Sequence, residues 1–158
     1  MPALTAVLHT HNDALRLGRA LETLYPCDEI FIIDHGSDDP TPRVARQYGA
    51  KLVQAYNDPG SDFLRDLASE WILCLDPRES LTESLAAALF DWKAAQVSPG
   101  AAAFSVFHRE ETVKGWVQHA HPQTRIVPAH WSNWDGYLPL ADSSAVSLEG
   151  ELLRFAFP

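Results

Sequence analysis

The chain is poor in the residues that would hold it together by anything other than packing. It has two cysteines, Cys27 and Cys74, in 158 residues, and their spacing fits neither a disulfide framework nor a cysteine metal motif. Cys74 lies in the apolar run Trp71-Ile72-Leu73-Cys74-Leu75 and Cys27 at a helix-to-strand turn, so both thiols are expected to be free. Positive charge is scarce: 12 Lys and Arg stand against 21 Asp and Glu, a net charge of -9. Such a field repels phosphate backbones and anionic bilayers, which argues against a nucleic-acid or lipid-surface partner. No run approaches the ~20 apolar residues of a membrane helix. The start, Met1-Pro2-Ala3-Leu4-Thr5, has neither a basic region nor a signal-length apolar stretch, and a cytoplasmic protein without a membrane span is the expectation. Also missing is a Gly-x-Gly-x-x-Gly after the first apolar run, which disfavours a dinucleotide enzyme.

What is present is ordinary globular material, 46% hydrophobic and 21% charged, in a length suited to one domain spanning 1–158. Short apolar runs at 4–8, 30–33, 51–54 and 71–75 read as strands buried on both faces, under helices on both sides of a sheet. Between them lie helical patterns. Asn12 is placed to cap the first, whose Leu17, Leu21 and Leu24 recur at helical spacing. Asp39-Pro40 opens a second, with Val44, Ala45 and Tyr48 on its apolar face and Gly49 as its stop. A short third helix is expected over 62–68. A fourth begins at a capping box, Ser80-Leu81-Thr82-Glu83, and carries Leu81, Leu85, Leu89 and Trp92 on one face.

Strand and helix alternating at this spacing predict an α/β fold with a mostly parallel sheet. A nucleotide-binding half covers about 1–97. An extension of about 98–158 has mixed strands: one over 101–108, a turn at Gly115-Trp116 and a short strand at 125–127.

Ligands of an open α/β sheet bind at the carboxyl ends of its strands. Those ends carry His9-Thr10-His11-Asn12-Asp13, Asp34-His35-Gly36-Ser37-Asp38-Asp39 and Asp76-Pro77-Arg78-Glu79. His9, His11, His35 and Asp34 include transition-metal ligand types, although His9 also suits a core position. His119-Ala120-His121 reads as a solvated turn. Trp116, Trp131, Trp134 and Tyr137 suit either sugar-stacking faces or core.

Taken in order, these segments resemble family 2 glycosyltransferases of the GT-A type, particularly the branch of lipopolysaccharide-core β-glycosyltransferases. The resemblance rests on Thr10-His11-Asn12-Asp13, on Asp28-Glu29-Ile30 followed by Asp34-His35-Gly36-Ser37-Asp38-Asp39-Pro40-Thr41, and on Tyr48-Gly49-Ala50-Lys51. It continues through Glu70-Trp71-Ile72-Leu73-Cys74-Leu75-Asp76-Pro77-Arg78-Glu79 and Gln123-Thr124-Arg125-Ile126-Val127.

The resemblance implies a GT-A, Rossmann-like fold and transfer of a sugar from a nucleotide-diphosphate sugar to an acceptor, usually with Mg²⁺ or Mn²⁺. It implies that Thr10, His11 and Asp34 line the base and ribose pocket, and that Asp76 meets the diphosphate with Arg78 or Glu79. The family's second metal-binding carboxylate is replaced by Arg78, which cannot ligate a metal but can bind phosphate oxygens bidentately. Glu79 offers a substitute carboxylate beside Asp76. Asp135 is the candidate base for an acceptor hydroxyl. The alternative is a non-catalytic module that keeps the fold and binds a nucleotide or a partner.

Overall fold

The computed structural model describes residues 2–55, 64, 67–95 and 100–158. The first half builds four parallel strands: β1 (Leu4–Thr10), β2 (Glu29–Asp34), β3 (Lys51–Gln54) and β4 (Trp71–Leu75), in the spatial order β3-β2-β1-β4. With β1 in the middle, Asp34 and Asp76 follow strands that flank the same neighbour. The sheet continues through β8 (Gln123–Pro128), β6 (Phe104–Thr112), β11 (Val146–Arg154) and β5 (Glu79–Leu81), while β7 (Gly115–Gln118) pairs with β6. Among the described strands of this half, only β6 and β11 pair in parallel. A separate two-stranded hairpin is formed by β9 (Trp134–Asp135) and β10 (Leu138–Pro139).

Both faces of the sheet are buried, as the unbroken apolar runs require, and the three described α-helices all cover the same one. Leu4, Ala6, Leu8, Leu73 and Leu75 face a core closed by α1 (Ala14–Glu22), α2 (Thr41–Gln47) and α3 (Glu83–Ala94) through Leu17, Leu21, Ala45, Leu85, Leu89 and Trp92. Val7, Ile33, Ile72, Cys74 and Val127 face a second core closed by Leu64, Leu67, Trp131, Trp134 and Leu138. Helices on both sides were expected. Among the described residues, the second side is instead covered by irregular chain and the β9–β10 hairpin, whose weak periodicity conceals large apolar residues. Trp131 and Trp134 are therefore partly buried packing residues, each indole N–H donating to a backbone carbonyl at 2.8 and 3.0 Å. Residues 62, 63, 65 and 66 of the expected short helix lie outside the described residues.

The helix boundaries correct two further expectations. Asn12 does not cap α1: it adopts a left-handed φ of 55°, and its Oδ1 accepts the Asp38 N–H at 2.8 Å. Asp39 supplies the cap for both helices, accepting Ala14 N–H at 3.1 Å and Thr41 N–H at 3.0 Å. Ser80 belongs to β5, and α3 begins after Thr82, whose Oγ1 accepts Leu85 N–H at 3.2 Å. Leu85, Leu89 and Trp92 form the buried helical stripe that the periodicity indicated, whereas Leu81 is buried from β5 and not from the helix.

Strand β11, which had no clear signal, carries a bulge between Ser147 and Glu151. Gly150 sits in it at φ 86°, where a Cβ would lie 2.3 Å from the Leu85 backbone nitrogen, so only glycine lets this strand pass the start of α3. Cys27 and Cys74 are free. No described helix is long and apolar enough to cross a membrane.

Candidate functional site

The loops after β1 and β2 are tied together by the very residues that make up their sequence motifs. Asn12 N–H donates to Ser37 Oγ at 2.9 Å. Ser37 Oγ donates to Asp34 Oδ1, and Gln54 Nε2 donates to Asp34 Oδ2 at 3.0 Å. Asp34 is 1% exposed, so its carboxylate anchors the loop that follows it. Asp13 accepts the Thr10 hydroxyl at 2.7 Å and the His11 N–H at 3.1 Å. The motif thus specifies a rigid double loop, with Gly36 supplying a positive φ of 73°.

Over this double loop lies an open cleft of about 330 Å³ at the carboxyl ends of β1, β2 and β4. Thr10, His11, Asp76 and Arg78 all line it, together with His9, Asp13, Arg16, His35 and Tyr137. His9 Nδ1 and His35 Nε2 are 2.8 Å apart, with the two rings nearly coplanar at 20°. Tyr137, from the hairpin turn, lies flat over both, with centroids 4.1 Å from His9 and 4.9 Å from His35. Burial, then the neighbouring His35, pushes the His9 pKa down to about 4, so the ring is neutral at physiological pH. His11 Nδ1 donates to the His35 carbonyl at 2.8 Å, which leaves its Nε2 as an acceptor.

The Asp76 loop holds two arginine–carboxylate pairs. Arg78 Nε donates to Asp76 Oδ1 at 3.0 Å, and the Arg78 backbone N–H reaches the same oxygen at 2.9 Å. Burial opposes ionisation of Asp76, but the bonds from Arg78 outweigh it and hold the carboxyl below the usual range. Glu79 turns the other way. It is 0% exposed and binds Arg125 bidentately at 2.6 and 2.9 Å, while its Oε1 accepts the Asp76 N–H at 2.8 Å. Arg125 is itself 1% exposed and completes its bonding with Cys74 O and Gln123 Oε1. The pair at Asp76 opens on the cleft, whereas the pair at Glu79 is part of the core.

Among the described residues, no group of three His, Cys, Asp or Glu side chains is arranged to hold a metal ion. His9, His11, His35 and Asp34 do not converge: the imidazoles bond each other or the backbone, and Asp34 is engaged by Ser37 and Gln54. Asp135 is exposed on β9 and is not part of the cleft wall.

Sequence reasoning missed Arg16. It lines the cleft from the first turn of α1, and its side chain makes no hydrogen bond or ion pair among the described residues. Its signal was an unpaired cation one helical turn beyond a strand-end motif. The Glu79–Arg125 pair had no local signal, since the two are 46 residues apart.

No protein-family model matches the chain. A TPR repeat-containing protein of Synechococcus elongatus is 35% identical over 128 residues, 76% of this chain and 30% of the relative. An uncharacterized glycosyltransferase of Rickettsia felis is 31% identical over 90 residues, 54% of this chain and 32% of the relative. The chain thus spans less than a third of the length of these relatives. Among solved structures, S. aureus TarS superposes with a TM-score of 0.52 at 18% identity, over 80% of this chain and 28% of TarS. Glucosyl-3-phosphoglycerate synthase of Mycobacterium tuberculosis, in complex with Mg²⁺ and UDP, gives 0.51 at 15% identity over 69% of this chain and 43% of the synthase. The chain has a GT-A type glycosyltransferase-like fold in fragmentary form, with no specific support for the lipopolysaccharide-core branch.

Proposed function

We propose that this glycosyltransferase-like chain binds a nucleotide-diphosphate sugar in the cleft over β1, β2 and β4 and transfers the sugar to an acceptor hydroxyl. The observation that carries the reading is electrostatic. In a protein of net charge -9, the cleft wall sets Arg16 and Arg78 against Asp13 and Asp76, and both carboxylates are already hydrogen-bonded. A diphosphate needs a local cation, and here two guanidiniums face one opening. Arg78 and Arg16 take the diphosphate, Thr10 and His11 line the nucleoside side, and Asp34 positions the loop beneath it.

The synthase from M. tuberculosis was crystallised with Mg²⁺ and UDP, but the donor set here does not fit a divalent ion. Asp76 is bound by Arg78 and Glu79 by Arg125, so a guanidinium stands where a metal would neutralise the leaving group. No step is therefore assigned to a metal.

Calorimetry with UDP, GDP and dTDP, with and without Mn²⁺ and a chelator, tests the reading. Binding that survives the chelator and is lost in Arg78→Ala supports it; binding that the chelator abolishes shows that Asp76 holds an ion after all.

One observation favours a second reading, a binding module without turnover: the cleft wall has no unengaged carboxylate to serve as base. Nucleoside diphosphate binding without release from UDP-, GDP- or dTDP-sugars across an acceptor panel would support that module.

A further inference from the structure

The rim that carries the cleft extends past β4. Because β8 is antiparallel to both β4 and β6, and β11 is parallel to β6, the start of β8 and the ends of β6 and β11 emerge beside the Asp76 loop. There a second polar pocket of about 360 Å³ is lined by His108, Glu110, His119, His121, Gln123 and Arg154, among others. Arg154 of β11 is level with both Glu79 of β5 and Glu110 of β6, so strands ~4.8 Å apart set Glu110 about 10 Å from Glu79 at the end of the Asp76 loop. The two sites are in contact: Phe155 N–H donates to the Arg78 carbonyl at 2.9 Å, and Arg154 approaches Glu79 to 3.8 Å.

Within this pocket His119 Nε2 lies 3.0 Å from Glu110 Oε2. A carboxylate only accepts, so it fixes the proton of the neutral ring on Nε2 and leaves Nδ1 as a bare lone pair. Nothing among the described residues bonds to Nδ1. His108 stacks flat against His119, with centroids 4.1 Å apart and planes at 16°, which restrains the ring. An imidazole with one open nitrogen and a carboxylate on the other is built to accept a proton and stabilise the imidazolium that forms.

Arg154 brings a guanidinium to the same pocket, and Gln123 an amide. His108 is 6% exposed, and its Nδ1 has no partner. Gln123 Oε1 receives Arg125 at 2.6 and 3.1 Å, which turns the amide NH₂ away from that arginine.

We infer that His119 is the general base of the transfer, positioned by Glu110, and that this pocket receives an acceptor carrying an anionic group; the inference rests on the donor reading above. In the step, the acceptor O–H proton passes to His119 Nδ1 as the oxygen bonds to the anomeric carbon. The bond from that carbon to the diphosphate oxygen breaks, and its electron pair leaves with the nucleoside diphosphate beside Arg78. Arg154 and the Gln123 amide hold the acceptor's phosphate or carboxylate.

Imidazole ¹⁵N–¹H correlation spectra of the full chain, with glycerol 3-phosphate and with glycerate as probes, test this. Neutral His119 should be the Nε2–H tautomer, and Glu110→Ala should erase that preference, an effect that lost packing alone would not produce. At least one probe should shift His119 and His108, and Arg154→Ala should remove the response; which probe acts separates phosphate from carboxylate. In transfer assays, His119→Gln should slow turnover by ~10²–10⁴ with nucleoside diphosphate affinity unchanged. A His119 found as Nδ1–H, or silent to both probes, overturns the assignment while leaving Arg78-dependent donor binding intact. A chain that binds no nucleoside diphosphate overturns the base role together with the donor reading, even if a probe still shifts the pocket.

Discussion

Asp76 and Glu79, three positions apart on one loop, head two arginine–carboxylate pairs that share chemistry and differ in surroundings. The side chains of Glu79 and Arg125 are 0% and 1% exposed, while those of Asp76 and Arg78 are 28% and 38% exposed. In the buried pair every oxygen and guanidinium edge is matched, by Cys74 O, Gln123, the Asp76 N–H and the pair itself. Its role is to fix where the loop leaves β4. The open pair faces solvent, so its attraction is screened and its guanidinium can exchange a carboxylate for a phosphate at small cost. One pair shapes the site and the other is available to a ligand.

The comparison can be broken most sharply at Arg125. Arg125→Ala leaves the Glu79 charge buried without a partner and should destabilise the fold by about 3–5 kcal/mol. Urea denaturation measures this, and a loss below ~1 kcal/mol would mean that water reaches Glu79 and that the pair is not part of the core.

Arg78→Ala should do the opposite. Stability should change by less than ~1 kcal/mol, whereas nucleoside diphosphate affinity should fall about a hundredfold, the equivalent of ~3 kcal/mol from two charge-assisted hydrogen bonds. Equal losses of stability in Arg78→Ala and Arg125→Ala would erase the distinction between the two pairs.

A third test sharpens the contrast through pH. His9, at the base of the open cleft, has a folded pKa of about 4 against the ordinary histidine value of 6.5. The unfolded chain therefore binds the extra proton between those values, and stability falls as the pH drops from 6.5 toward 4. The loss should be on the order of 2 kcal/mol after allowance for partial exposure. His9→Gln should flatten this interval in urea midpoints measured at pH 7 and pH 4.5. An unchanged slope would assign it to other groups.

The smallest effect is expected at the cysteines. Burial pushes both the Cys27 and Cys74 thiols up to about 12, so neither forms thiolate at pH 8. Iodoacetamide should leave the folded protein unlabelled at both positions over an hour, and rapid labelling of Cys74 would show that the second core opens readily.

Much of the first half was legible in the sequence. Leu4–Thr10, Glu29–Asp34 and Trp71–Leu75 are strands because short, doubly apolar runs between helical patterns can be buried only inside a covered sheet, and the weaker run Lys51–Gln54 is a half-exposed strand at the sheet edge. The motif residues were located correctly at the strand ends. Their division of labour was not legible: Asn12, Asp34, Ser37 and Asp39 hold loops, whereas Arg78, Arg16 and Tyr137 face the opening. Residue type reveals the capacity to bond, not the partner. The second half was read poorly because a bulged strand at 146–154 and a hairpin at 134–139 have no sustained period. Their registers depend on Gly150 passing α3 and on Trp134 finding the far face of the sheet.

The sequence by itself determined the alternation of strand and helix, the two-faced burial of β1 and β4 and the acidic balance that makes a local cation necessary. These follow from periodicity and composition, which act over a few residues or over the whole chain. Only the tertiary structure decided that all three described helices share one face, that Glu79 belongs to Arg125 and Arg78 to Asp76, and that His119 meets Glu110 beside the same rim. Those pairings join residues 46, 2 and 9 positions apart. Each was selected by which partner burial left within reach, a property of the folded surface and not of any local stretch of chain.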